Sequence, residues 1–437
     1  MMRFGQSWQN VRSSFWFLPG LMVLSAVALA ITLVEVDVRL GERVFERWPR
    51  LFGAGAAGAR SLLATVASSM ITVAGVVFSI TIVALALASS QYSSGVIRNF
   101  MRDRVTQAGL GTFVGIFAYC LVVLRTIRAG DEGEFVPSLA VLVGLLLAFV
   151  GIAMLIYFIH HIATSIQATH ILAAVADETL RAVDHLFPEG VGDDDDAEPE
   201  PGRAGQVWHS VPVGTTGYIQ SFDTAGLLDL AREWQAVLRM ERAVGQFVIE
   251  GTPLASVLRA AALDEDELRR IGSLYAISRQ RKVAHDARFG IRQIVDVALK
   301  ALSSGVNDTT NAVMCIDYLT AILVRLTDRR IASCYRSEDG ELRLLTCGPT
   351  YASMVGDAFD QIRQNADGNL AVLEGLLGSV ELLASRATPP LRRRVLLEHA
   401  RAVTELCRRS IPAPRDRQRI DDRSARTIEL LGGNKDA

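Results

Sequence analysis

Apolar residues fill most of the first 160 positions of the chain and then give way to mixed and charged sequence. Four apolar runs stand out in that part, over residues 15–34, 61–88, 107–126 and 135–159. Each can cross a hydrocarbon layer about 30 Å thick as a helix, so the pattern predicts an α-helical membrane protein with four transmembrane helices in residues 1–165. The second run is the most informative, because no charged side chain occurs from Ser61 to Ile97. As a helix its apolar part reaches about 40 Å, so it is expected to tilt or to continue past the bilayer. Ala28-Leu29-Ala30 has the form of a signal-peptide cleavage site, but the run around it is too long and reads as an anchor.

Within the second run Ser61, Thr65, Ser68, Thr72, Gly75 and Ser79 recur at steps of four and three, which aligns them as one small, weakly polar stripe on a helix. Two readings are open. Small residues let helices approach closely, and their hydroxyls can bond across a contact; the same face can instead line a water-filled path. Gly111 and Gly115 in the third run, and Gly144, Ala148 and Gly151 in the fourth, are further helix-contact signals. No ionisable residue lies centrally in any run, which counts against a proton relay or a carboxylate-coupled transporter.

Beyond residue 165 the pattern predicts a cytoplasmic α+β, mainly helical domain. Residues 166–187 read as a helical connector and 188–205, with Asp193 to Asp196 and two Glu-Pro steps, as an acidic disordered insert. Residues 206–262 read as a small α/β module: a strand at Gly217-Tyr218-Ile219-Gln220, a helix from Thr224 to about Met240, and a strand at Gln246 to Ile249 before a Gly251-Thr252-Pro253 turn. Residues 263–432 read as mainly helical, with a capping box at Asp264 and Glu267, a helix from there to about Gln280, amphipathic helices at Ala287–Ser303 and Thr309–Asp328, and a hairpin near 333–347. Arg392, Arg393 and Arg394 with Arg408 and Arg409 read as a solvated helix face, or as one that meets lipid headgroups.

Composition changes this picture little. The 437 residues include 45 basic and 47 acidic side chains, so nucleic acid is not an expected partner. Five cysteines, Cys120, Cys315, Cys334, Cys347 and Cys407, are odd in number and widely spaced, which predicts neither a disulfide framework nor a zinc site. The acidic run lacks the spacing and turn glycine of a calcium loop, so no metal or cofactor is expected. Arg98, Arg102 and Arg104 crowd one short loop, whereas the first and third loops mix arginines with Glu35, Asp37, Glu42, Glu46, Asp131, Glu132 and Glu134. With the free cysteines, this favours both termini in the cytoplasm and Trp8, Trp16, Tyr157 and Phe158 in the inner aromatic belt. Gly53 to Gly58 fits a dinucleotide fingerprint literally but sits between two spans with no βαβ unit. No phosphate loop, zinc helix or nucleophile elbow occurs, so an enzyme is the least supported class.

The densest polar constellation is Asp286, Arg292, Asp296, Asn307 and Asp308. Arg292 with Asp296 and Asp296 with Lys300 make i, i+4 pairs, and Asp308 has the place of an N-cap. The sharper reading makes these residues one polar site where two helix ends meet and backbone N–H groups hold an anion. Asp286, the run Phe289-Gly290-Ile291-Arg292-Gln293-Ile294-Val295-Asp296 through Ser303, and Gly305-Val306-Asn307-Asp308 resemble the signature of the bacterial membrane proteins catalogued as domain of unknown function 2254. The four-span start, Ser90-Gln91-Tyr92-Ser93 and the Gly217 strand are similar to that family as well. Ser304 and Thr309 stand where the family often has proline. The resemblance implies a multi-pass protein of the bacterial inner membrane and names no activity.

The expected function is an oligomeric ion- or solute-conducting pore governed by its cytoplasmic domain; the alternative is a membrane-anchored sensor or scaffold binding a ligand or protein through that domain. A homo-oligomer is expected because four spans enclose little. The lipid bilayer is the expected surrounding, and an ion, an anion or a protein remains open as the partner.

Overall fold

A computed structural model describes residues 16–40, 55–91, 103–128, 135–165, 168–190, 192–193, 207–338 and 341–432. Trp8, Glu42, Glu46, Arg98, Arg102, the acids of the third loop and most of the acidic insert lie outside the described residues. The chain divides into two compact units, Met1–Ile171 and Leu172–Ala437. It is mostly helical, with a mixed α/β region in the second unit. Five described helices are long and apolar enough to cross a membrane, the four of the first unit and Thr309–Thr327 in the second.

The first unit is a bundle of α1 (Phe17–Leu40), α2 (Ala56–Gln91), α3 (Arg104–Thr126) and α4 (Ser138–Ser165). Glycines set its closest approaches. A methyl at Gly111 would come within 2.7 Å of the Met22 sulfur and 3.0 Å of the Pro19 Cα on α1, while Gly115 faces Ala26. On α4, methyls at Gly144 and Gly151 would each come within 2.8 Å of α2, at Leu63 and Met70.

Polar side chains close both ends of the bundle. Asp37, expected in the first loop, lies inside α1 and is buried, its carboxylate accepting from the Leu139 and Ala140 amides at 3.2 and 3.0 Å. First-turn N–H groups have no partner within their own helix, and a carboxylate placed there also meets the positive end of the helix dipole. At the same end the Arg60 guanidinium donates to the Ile127 carbonyl at 2.7 Å, and the Tyr119 hydroxyl donates to the Ala140 carbonyl at 2.7 Å. At the other end Asp103 caps α3 through the Val105 and Thr106 amides and meets His161 Nε2 at 2.7 Å.

In the second unit, α5 (Ala168–Leu186) leads into two sheets. One has five strands in the order β2 (Val207–Pro212), β6 (Pro253–Arg259), β4 (Val237–Met240), β10 (Glu341–Leu345), β9 (Tyr335–Glu338); the other has the order β5 (Phe247–Val248), β3 (Gly217–Phe222), β7 (Tyr275–Ser278). In chain order α6 (Thr224–Glu233) links β3 to β4 and α7 (Glu265–Ser273) links β6 to β7. A two-strand pair joins β1 (Gly192–Asp193) and β8 (Arg330–Ile331). The helix expected to reach Met240 stops at Glu233, where Gln235 takes φ +48° and the chain turns into β4, burying Leu238 and Met240. The helix expected to reach Gln280 stops at Ser273 and becomes β7, whose partner is β3. A boundary at residue 262 therefore does not divide the sheets, since β7, β9 and β10 complete them.

The remaining helices are α8 (Ala287–Ala301), α9 (Thr309–Thr327), α10 (Tyr351–Gln364), α11 (Leu370–Ala384), α12 (Pro390–Ser410) and α13 (Pro414–Gly432). Two of the clustered arginines are not a solvated face. Arg392 is fully buried, donates to the Thr327 and Arg329 carbonyls at 2.8 and 2.9 Å, and lies over the Tyr351 ring. Arg393 donates to the Leu430 and Leu431 carbonyls. Each guanidinium thus meets the carbonyl-rich C-terminal end of a helix, α9 for Arg392 and α13 for Arg393.

Two substitutions test these contacts. Asp37→Ala should lower stability by about 1–2 kcal/mol in thermal unfolding of the purified protein, whereas Glu35→Ala should change it by less than about 0.5 kcal/mol, because Glu35 is exposed and meets Arg39 on its own helix. Alanine usually stabilises a helix interior relative to glycine by about 1 kcal/mol. At Gly290 an added Cβ would overlap the Thr179 hydroxyl on α5, so Gly290→Ala should lose about 1–3 kcal/mol by overpacking, while Gly272→Ala, with open space around it, should lose nothing.

Candidate functional site

The helix α2 carries two distinct rows of side chains on opposite sides, a buried one that alternates alanine with larger apolar residues and an exposed one of small residues. Ala59, Leu63, Ala67, Met70, Ala74 and Val77 are buried against the rest of the bundle. Ser61, Thr65, Ser68, Thr72, Gly75 and Ser79 are all exposed, and nothing lies within 4 Å of where a Gly75 side chain would start. At 3.6 residues per turn the two rows fall about half a turn apart. Packing within the chain's own bundle therefore does not account for the stripe; the alanine row fills that role. The Thr65 and Thr72 hydroxyls donate to the Ser61 and Ser68 carbonyls at 2.8 Å, leaving their oxygen lone pairs facing outward as acceptors.

The polar constellation of the second unit separates into three places. Asp286 is the N-cap of α8, accepting from the Phe289 amide at 3.3 Å and pairing with Arg281 at 2.6 Å. Arg292 and Asp296 pair with each other at 2.8 Å in the middle of α8, where burial lifts the Asp296 carboxyl above the usual range despite that pairing. Asn307 and Asp308 follow the far end of the same helix, about 20 Å from Asp286 at a helical rise of 1.5 Å per residue. The two helix ends that meet are the C-terminus of α8 and the N-terminus of α9, so the five residues do not form one site. Asn307 takes φ +46° in that turn, and Asp308 caps α9 through the Asn311 amide at 3.0 Å. Thr309 accepts from the Asn369 side-chain amide at 2.9 Å.

Beside Asp286 the second unit holds a cavity of about 250 Å³. Phe187, Phe222, Ile331 and Met354 give it an apolar wall. Arg288, Arg330, Arg336 and His285 also line it, together with Asp286, which Arg281 engages. Arg288 is held by Asp357 on α10. Gly245 takes φ +82° against Asp286, and any side chain there would collide with the carboxylate. Cys347 also lines the cavity and donates to the Met240 carbonyl, and burial pushes its thiol above the ordinary range, which makes it a poor nucleophile at neutral pH. The lining comes from seven separated segments between Leu186 and Met354, so sequence order held no local signal for it. No group of three or more His, Cys, Asp or Glu that could hold a metal occurs among the described residues.

The profile of the family described as "Predicted membrane protein (DUF2254)" matches residues 12–381. The uncharacterized protein Rv1290c of Mycobacterium tuberculosis is 32% identical over 430 residues, covering 96% of this chain and 81% of its own length. The uncharacterized protein Mb1321c of Mycobacterium bovis matches to the same extent. No solved structure matches the chain. With apolar helices in one unit and the signature segment spanning α8 to the start of α9 in the other, the chain belongs to the DUF2254 family of predicted membrane proteins.

Proposed function

We propose that this protein is a multi-pass protein of the bacterial inner membrane that assembles from several copies, with α2 of each copy turning its stripe toward a shared path for an ion or small solute. One observation carries the reading: the six small residues lie on the side of α2 opposite its packing row and are exposed in the isolated chain. The outward face of α4 is of the kind that lipid favours, with Leu146, Phe149, Val150, Ile152, Ile156 and Ile159 exposed. The stripe departs from that rule. Hydroxyl and glycine surfaces suit close contact with a second copy or with water better than with acyl chains.

Four helices rather than five cross the bilayer in this reading. The fifth apolar helix, α9, carries Asp317 and Arg325, pairs Arg325 with Asp184 at 2.6 Å and buries Ile316, Leu319 and Leu323 in the second unit. Both termini lie on the cytoplasmic side, which puts the second unit where it can govern the path.

Purified full-length protein in potassium-loaded liposomes should release potassium or chloride faster than empty liposomes. Thr72→Leu and Ser68→Leu should cut that flux by about tenfold or more by drying the path, and Thr72→Ser should preserve it. Flux at the level of empty liposomes across voltage and membrane tension, or equal flux in the leucine variants, would overturn the reading and favour a membrane-anchored sensor whose spans only pack.

A further inference from the structure

We infer that the cavity beside Asp286 binds an uncharged, largely apolar small molecule. The inference is independent of the conducting path. A cavity of about 250 Å³ admits a one- or two-ring body, and Phe187, Phe222, Ile331 and Met354 offer it apolar contacts. The Cys347 thiol, which donates to the Met240 carbonyl, adds a soft, neutral contact. The charges around the space are already matched within the protein. Asp286 is held by Arg281 at 2.6 Å and by the Phe289 amide, Arg288 is held by Asp357, and Arg330 and Arg336 each have a partner of their own. His285, the remaining basic side chain of the wall, is exposed to solvent. An ion entering this space would shed water against groups whose charge is already balanced. An uncharged ligand leaves those pairs intact and gains the burial of its apolar surface.

The walls are fixed by contacts that need no ligand. Gly245 leaves room for the Asp286 carboxylate, which caps α8 and so sets the position of Ala287 and Arg288. Pairing of β1 with β8 holds Arg330 and Ile331, and Met354 is fully buried on α10. Ala332 and Ala243 belong to the lining but not to the hydrophobic core, so a large side chain at either position fills the space at little cost to the fold.

The test uses the full chain in nanodiscs, with empty nanodiscs as reference, and equilibrium dialysis against three probes of similar shape: neutral naphthamide, the anion naphthoate and the cation naphthylmethylammonium. Naphthamide should bind saturably, one per chain, and each ion should bind about tenfold or more weakly. Ala332→Trp and Ala243→Phe, each unfolding at the wild-type temperature, should abolish naphthamide binding, while Ala332→Ser should preserve it. Naphthamide uptake no greater than that of empty nanodiscs, or binding that persists in either filled variant that folds, would overturn the site. Naphthoate or naphthylmethylammonium binding as tightly as naphthamide would overturn the uncharged class.

Discussion

The first unit depends on α2 burying one row, in which alanines alternate with Leu63, Met70 and Val77, while a row of small residues faces outward. Alanines at 59, 67 and 74 let α3 and α4 approach, and Gly144 and Gly151 on α4 complete that contact. With the inner row committed, the hydroxyl stripe is left to whatever surrounds the bundle. The ends of the bundle obey a related constraint. In apolar surroundings unpaired backbone groups are costly, so the Asp37 and Asp103 carboxylates meet the N-terminal amides of α4 and α3, and the Arg60 guanidinium meets the carbonyl that ends α3.

The same physics organises the second unit. Asp286 and Asp308 cap the two helices of the signature segment, while Arg392 and Arg393 serve the C-terminal ends of α9 and α13. Gly290 lets α5 cross α8 without collision. Much of the family signature is thus explained by helix ends and close packing. Of the basic residues that line the cavity, Arg330 and Arg336 lie on β8 and β9, and His285 and Arg288 flank Asp286 at the start of α8.

Apolar runs, glycine contacts and caps were legible in the sequence because each is local: spacing along one helix decides it. The Asp264 capping box, the helices at Ala287 and Thr309, and the hairpin around Glu338 and Glu341 fall where patterning places them. Val237–Met240 and Tyr275–Ser278 were not legible as strands, since each follows a helix directly and gains its identity only from partners far along the chain. Asp37 looked like a loop acid because its partner amides lie about 100 residues away, and Arg392 looked solvated because its carbonyl partners sit on another helix. The stripe itself was legible; which way it faced was not, because a row of alanines of equal promise runs along the other side.

The most direct test of the outward stripe as a water-lined path is reaction with a membrane-impermeant thiol reagent in intact membranes. Thr72→Cys and Ser68→Cys should react, while Phe149→Cys on the outward face of α4 should not. Silence at both stripe positions, matching Phe149→Cys, would contradict the account.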